Sequence, residues 1–257
     1  MKIDKDMFRL DGKVAVITGG SRGIGKAIAL GMATFGADVG IAGLSPESQD
    51  TVREIEALGQ KGAFVKTDVG RVREVQEAMN RIAGSLGTVD ILVNNAGVAA
   101  VTPAEEVSEE EWDSVAGVNL KGLFFASQAA ARIMKDHGRG GRIINIGSIF
   151  GLVGSELGAS VYHASKGAVQ NLTRALACEW AKYGILVNNI GPGFIVTDMT
   201  QALRENPVMA KALEDRHALK RFGRTEEIVG AAVFLASPAA SFVTGENLYV
   251  DGGYTAW

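Results

Sequence analysis

The chain has one cysteine in 257 residues, Cys178, so no internal disulfide can form. Its place in "RALACEWA", a stretch with helical spacing, predicts packing rather than redox work, and the lack of a disulfide framework fits the cytoplasm. Charge of one sign is also missing: 26 Lys and Arg against 29 Asp and Glu leave a formal charge of −3. Without a basic excess there is no electrostatic footprint for a polyanion, which argues against nucleic acid as a ligand. Long hydrophobic runs are absent too. The amino-terminal "MKIDKDMFRLDGKVAVITGG" has charges followed by an apolar run too short, and too soon ended by glycine, to serve as a signal peptide or a span. No membrane partner is expected. There is no proline-rich or glycine/serine-rich linker, no repeat and no low-complexity block, so residues 1–257 are expected to form a single domain. Neither metal-ligand spacing nor a haem or flavin signature occurs, and no metal is expected.

What is present is alternation. The short, apolar, β-branched runs "KVAVITG", "DVGIAG", "GAFVKTDV", "DILVNNAG", "GRIINIGS", "ILVNNIGPG" and "NLYVDGG" read as strands. Their near-continuous apolar character suits strands buried on both faces of a parallel sheet. Between them lie helical patterns over Gly23–Phe35, Val52–Leu58, Arg71–Ala83, Ser108–Lys135, Tyr162–Lys182 and Thr225–Leu235. The expected fold is α/β: a Rossmann-type, doubly wound, seven-stranded parallel sheet with helices on both faces. One polar, charge-rich segment with helical periodicity, residues 198–224, falls between the last two strands. An insertion at the carboxyl edge of such a sheet lies beside the ligand crevice, so it is expected to be a substrate lid.

In "ITGGSRGIGKAIA", Gly19, Gly23 and Gly25 separate the first strand from the first helix. Glycines there permit a tight turn and close approach of backbone to phosphate, while the helix amino terminus offers unpaired N–H groups. The spacing is not the G-x-G-x-x-G form, and such glycines can also serve packing alone. At the end of the second strand, where a carboxylate would bind the ribose 2′-hydroxyl of NAD, stand Gly43, Leu44 and Ser45. With no carboxylate at these positions to repel a 2′-phosphate, and with Arg22 in the loop to pair with one, NADP(H) is favoured over NAD(H), the other reading being that Glu47 swings toward the ribose and Arg22 is a solvated loop charge.

"SVYHASKGAV" sets Tyr162 and Lys166 four residues apart, on one face of a helix, after a strand ending at Ser148. A phenol ionises near pH ~10 in water, and an adjacent ammonium would favour the phenolate. A serine hydroxyl could hold a carbonyl or alcohol oxygen while the tyrosine exchanges its proton and a cofactor carries hydride. Taken singly, each residue also has an ordinary role: Ser148 as a turn residue, Tyr162 and Lys166 as a helical pair, Asn94 and Asn95 as turn formers, Asp68 as a helix cap. His163, one step along the helix from Tyr162, is read as structural.

The whole chain resembles the short-chain dehydrogenase/reductase family in its compact, single-domain form. "TGGSRGIG", spanning Thr18, Gly19, Ser21, Arg22, Gly23, Ile24 and Gly25, is similar to the family's cofactor loop. Asp68 and Val69 match an adenine contact, and "NNAG", with Asn95, Ala96 and Gly97, matches the segment after the fourth strand. Asn119, Ser148, Tyr162 and Lys166 match the catalytic tetrad, and "GPGFIVT" matches the nicotinamide-side loop. The resemblance implies that Lys166 also bonds the nicotinamide ribose. It implies that Asn119 holds a water linking Lys166 to solvent, and that Pro192, Gly193, Ile195 and Thr197 orient the nicotinamide. It further implies a homotetramer paired through the helices over Ser108–Lys135 and Tyr162–Lys182. The spacing from Ser148 to Tyr162 is looser than in many relatives, owing to "SELGAS".

"ACEWAKYGI" and "VDGGYTAW" resemble the sugar-acid and polyol dehydrogenases of that family, such as gluconate 5-dehydrogenase and the 2-keto-3-deoxygluconate enzymes. Reversible oxidation of a secondary alcohol on a sugar acid or polyol is therefore expected. A β-ketoacyl thioester reductase is the second reading, and a dinucleotide-binding regulator without chemistry the third. Ile149, Phe150, Gly151 and Phe194 are expected to line the pocket. Among the lid's cations, Arg204, Lys211, Arg216, His217, Lys220 and Arg221 are each candidates to meet a substrate carboxylate.

Overall fold

A computed structural model describes residues 4–257. Its elements run β1 (Val14–Thr18), α1 (Gly23–Thr34), β2 (Asp38–Gly43), α2 (Ser48–Ala57), β3 (Gly62–Lys66), α3 (Val72–Leu86), β4 (Ile91–Asn94), α4 (Glu109–Ala116), α5 (Leu123–His137), β5 (Gly141–Ile146), α6 (Ser160–Trp180), β6 (Ile185–Pro192), α7 (Gln201–Glu205), α8 (Pro207–Arg216), α9 (Glu226–Ala236) and β7 (Asn247–Val250). The seven strands form one sheet in the order β3-β2-β1-β4-β5-β6-β7, every neighbouring pair parallel. The chain reverses its direction of growth between β1 and β4, which is where an open α/β sheet leaves a crevice beyond its carboxyl edge.

Alternation along each strand supplies two cores. Ala15, Ile17, Val93 and Ile144 face one side and pack with Ile28 and Met32 of α1 and Ile228 of α9. Val16, Leu92 and Ile143 face the other, against Met79 of α3, Met134 of α5 and Leu176 of α6. The continuous apolar runs in the sequence thus reflect a sheet covered on both faces.

Two local expectations change. The pattern over Ser108–Lys135 is not one regular helix, because a π-helical turn, Gly117–Gly122, joins α4 to α5. A Cβ at Gly122 would lie 2.3 Å from the carbonyl oxygen of Val69, so glycine lets this turn press against the loop after β3. π turns of this kind recur at functional sites. Cys178, expected to pack, is exposed, and the buried positions of that turn of α6 are Leu176 and Ala177. Among the described residues no helix is long and apolar enough to cross a membrane, and no group of three or more His, Cys, Asp or Glu stands placed to hold a metal ion.

Candidate active site

The glycine loop is built for close approach. Gly19 and Gly23 have φ of +68° and +53°, a region L side chains rarely enter. A Cβ on Gly25 would fall 2.2 Å from the Gly19 carbonyl oxygen and 2.3 Å from Asn95 Nδ2, which no rearrangement short of moving the loop could relieve. Arg22, the N-cap of α1, offers no side-chain cap, so the first-turn N–H groups are left for an anion. Ser21 and Ile24 flank this turn, both half-buried. A tight glycine turn opening on an uncapped helix start fits the pyrophosphate of a dinucleotide.

Thr18 and Asn95 back the loop. The Thr18 hydroxyl accepts from the backbone N–H of Asn95 (3.0 Å) and Ala96 (3.1 Å), while Asn95 Nδ2 donates to the carbonyls of Thr18 (3.0 Å) and Gly19 (2.9 Å). They tie β4 to the loop and so set its shape. Leu44, 60% exposed, and Ser45 stand at the end of β2 with no carboxylate between them. Asp68 takes the N–H of Gly70 at 2.9 Å and lies 3.3 Å from Arg71 Nε, and Val69 beside it is buried. Arg22, expected beside a 2′-phosphate, reaches Asp198 at the foot of the 198–224 segment instead, with NH1 to Oδ2 at 3.0 Å.

The four candidate catalytic residues converge at the carboxyl edge. Ser148, 7% exposed, follows β5, and its Oγ accepts from Phe150 N at 3.1 Å. Tyr162 and Lys166 occupy the first two turns of α6, one above the other, with Lys166 Nζ 5.5 Å from the tyrosine ring centre. Burial raises the Tyr162 pKa above its usual value, and the neighbouring Ser148 hydroxyl opposes the rise. Lys166 is 4% exposed, its pKa lowered by burial to about 8, and its Nζ donates to the Ile146 carbonyl at 2.8 Å. The expectation that Lys166 depresses the tyrosine pKa is thus not met by the protein groups alone, because the ammonium is directed at a backbone carbonyl and is itself desolvated.

Asn119, 1% exposed, sits on the π turn. Its Oδ1 accepts from Val98 N (2.9 Å), and Nδ2 donates to Val98 O (2.8 Å) and Ser165 Oγ (3.1 Å). Both amide protons are therefore engaged. A water on this side chain would have only the second lone pair of Oδ1. Gly97 lies between them, where a Cβ would be 3.3 Å from Asn119 Oδ1 and 3.7 Å from Lys166 Nζ.

The nicotinamide-side loop follows β6. A Cβ at Gly193 would stand 2.8 Å from the Asp251 Cα, so Pro192 and Gly193 run hard against the turn after β7. Ile195 pairs through a short parallel bridge with Gly223, and the Thr197 methyl would meet a Cβ on Gly23 at 3.4 Å, which brings this loop to the cofactor loop. Phe194 is buried with Ile149, Phe222 and Tyr254.

One neighbour escaped the sequence reading: Gln170, 6% exposed, directs Nε2 at the Ser148 carbonyl from 3.4 Å; its signal was a polar residue at i+4 from Lys166. His163, read as structural, stacks on Phe150, which meets Tyr162 edge-on.

A family described as enoyl-(acyl carrier protein) reductase matches residues 19–255. The chain is 42% identical to gluconate 5-dehydrogenase of Gluconobacter oxydans (strain 621H) over 254 residues, 97% of each chain. It is 43% identical to galactitol 2-dehydrogenase (L-tagatose-forming) of Cereibacter sphaeroides over 255 residues, 98% of this chain and 99% of that one. The crystal structure of a gluconate 5-dehydrogenase from Burkholderia cenocepacia J2315, in complex with NADP and tartrate, superposes with a TM-score of 0.94 at 38% identity, covering 98% of both chains.

Proposed function

We propose, from the premise that the chain belongs to the short-chain dehydrogenase/reductase family, that it interconverts a secondary alcohol and a ketone on a sugar acid or polyol, with gluconate-type acids foremost. The reaction class, an oxidoreductase using a nicotinamide dinucleotide, follows from that membership. The convergence of Ser148, Tyr162 and Lys166 beside the glycine loop is the observation that carries the reading to this chain. The relatives' names favour sugar acids and polyols over β-ketoacyl thioesters.

When bound, the nicotinamide supplies the hydride acceptor for oxidation and the donor for reduction. Ser148 and Tyr162 hydroxyls hold the substrate oxygen between them, which sets the reacting carbon's orientation. In oxidation Tyr162 takes the hydroxyl proton, and in reduction it returns one. Lys166, with a pKa of about 8, passes protons toward Tyr162. Asn119 holds the Val98 backbone beside the lysine, and its free Oδ1 lone pair is the point where a relay water would attach. The glycine loop binds the pyrophosphate; Leu44, Ser45, Asp68 and Val69 border the adenosine; Asn95, Ala96 and Gly97 underlie the ribose; Pro192, Gly193, Ile195 and Thr197 orient the nicotinamide.

NADP(H) is the favoured form, supported by the absence of a carboxylate at Gly43, Leu44 and Ser45, where β2 ends, and by the exposed Arg22. Residues 198–224 act as a substrate lid on a single domain. The half-buried Phe124 and Phe125 of α5 support a homotetramer joined through α5 and α6, and a free thiol fits the cytoplasm. The test is an absorbance assay with both cofactors against sugar acids, polyols and acetoacyl thioesters. Strong turnover of a sugar acid or polyol is expected, lost in Tyr162→Phe. Turnover of thioesters alone, or full activity in Tyr162→Phe, would refute it.

A further inference from the structure

The lid carries six lysines and arginines, and their partners separate them. Lys211 is paired with Asp215, and Arg221 and Arg224 with Glu227. Arg216 lies over the Tyr254 ring, 4.8 Å from its centre, and Lys220 over Trp257 at 5.1 Å. All five are exposed. Arg204 differs in both respects. It is half-buried, and among the described residues it has neither a carboxylate partner nor an aromatic face. Its guanidinium is held by neutral acceptors only: Nε to Thr200 Oγ1 at 3.4 Å and NH2 to the Thr197 carbonyl at 3.2 Å.

A cation drawn partly out of water without a counter-charge is unfavourable, and an anion arriving there gains from the same reduced screening. Two of the five guanidinium protons are engaged, which leaves donors for a carboxylate. The position suits one. Thr197 ends the nicotinamide-side loop, and the neighbouring Leu203 packs against the cluster of Ile149, Phe194, Phe222 and Tyr254. Arg204 therefore stands at the junction of that loop with the lid, one residue from a side chain packed on this cluster.

We propose that Arg204 receives the carboxylate of the substrate and so selects sugar acids over neutral polyols. The proposal rests on the reading of the protein as a sugar-acid or polyol dehydrogenase and narrows it. The other lid arginines and lysines stay with their internal partners during turnover.

Steady-state kinetics with D-gluconate, other aldonates and the corresponding hexitols, with NADP+, test it in the wild type, Arg204→Met and Arg204→Lys. The methionine variant is expected to raise KM for the acids at least tenfold with kcat within about threefold. KM for the hexitols should move less than twofold, and lysine should restore part of the acid KM. An equal loss on acids and hexitols would assign Arg204 to the lid's structure and overturn the proposal, as would an unchanged acid KM. A wild type that oxidises hexitols and no acid would overturn the Arg204 inference and leave the dehydrogenase reading standing. A wild type that oxidises neither would overturn both.

Discussion

His163 stacks on Phe150, with ring centres 4.3 Å apart and planes 19° from parallel. Its Nδ1 lies 2.7 Å from the Ala159 carbonyl, which can only accept, so Nδ1 carries the proton and Nε2 of the neutral ring accepts from the Ser155 hydroxyl at 3.1 Å. The imidazole thus ties the loop between Ser148 and Tyr162 to α6, and Phe150 carries that constraint to the edge of the Tyr162 ring at 6.3 Å. The looser spacing made by "SELGAS" is held in shape by this contact.

Replacing His163 with Phe keeps the stack and removes both hydrogen bonds, and Ser155→Ala removes one. A net hydrogen bond contributes about 0.5–1.5 kcal/mol. Ser155→Ala should therefore raise the substrate KM roughly two- to tenfold, and His163→Phe, which loses two bonds, roughly five- to 150-fold, each leaving the KM for NADP+ unchanged. The double variant should show less than the sum, since both residues act on one loop. Initial-rate kinetics on the four proteins check this.

Lys166 carries a stability signature. Its pKa falls from 10.5 to about 8 on folding because the charged form is desolvated. Between those values the unfolded chain binds more protons than the folded one, so wild-type stability rises with pH across that window, by up to about 3 kcal/mol. Lys166→Met should lose this rise and gain relative stability below pH 8, offset in part by leaving the Ile146 carbonyl unpaired. Turnover should drop by roughly 10²–10⁴. Urea unfolding of both proteins at pH 7 and pH 10 reads the sign directly.

The sheet was legible because both of its faces are buried: runs such as "VAVI" in β1 and "ILV" in β4 are apolar throughout. The Tyr162 and Lys166 pair was legible because a helical spacing of four is local. What the sequence hid depends on residues far apart. Arg22 and Asp198 are separated by 176 positions, and nothing local joins them. The π turn at Asn119 leaves the apolar periodicity on either side almost unchanged. The direction of the Tyr162 shift follows from burial, which the order of residues does not reveal. Arg204 stood among equal candidates until the partners of the lid's other arginines and lysines were known.

The Arg22–Asp198 pair competes with any phosphate that would use Arg22. Both side chains are exposed, 77% and 66%, and such pairs contribute about 0.2–1 kcal/mol. Asp198→Asn should free the guanidinium and lower the KM for NADP+ about 1.5- to 5-fold. The KM for NAD+ should not move, and the difference should shrink at high salt. Kinetics with both cofactors at two ionic strengths check the expectation.

Asn119 separates a relay role from a clamp. The structure gives its side chain three partners, two of them on the Val98 backbone at 2.9 and 2.8 Å. Asn119→Leu would remove both bonds to the Val98 backbone, at about 0.5–1.5 kcal/mol each. Its unfolding midpoint should fall accordingly, together with kcat. A residue that served only to hold a relay water would lose kcat and leave the midpoint unmoved. Asn119→Asp keeps an acceptor for Val98 N and removes the donors to Val98 O and Ser165 Oγ, so its loss of stability should fall between the wild type and the leucine variant. Denaturation curves for the three proteins rank them, and a leucine variant as stable as the wild type would remove the clamp.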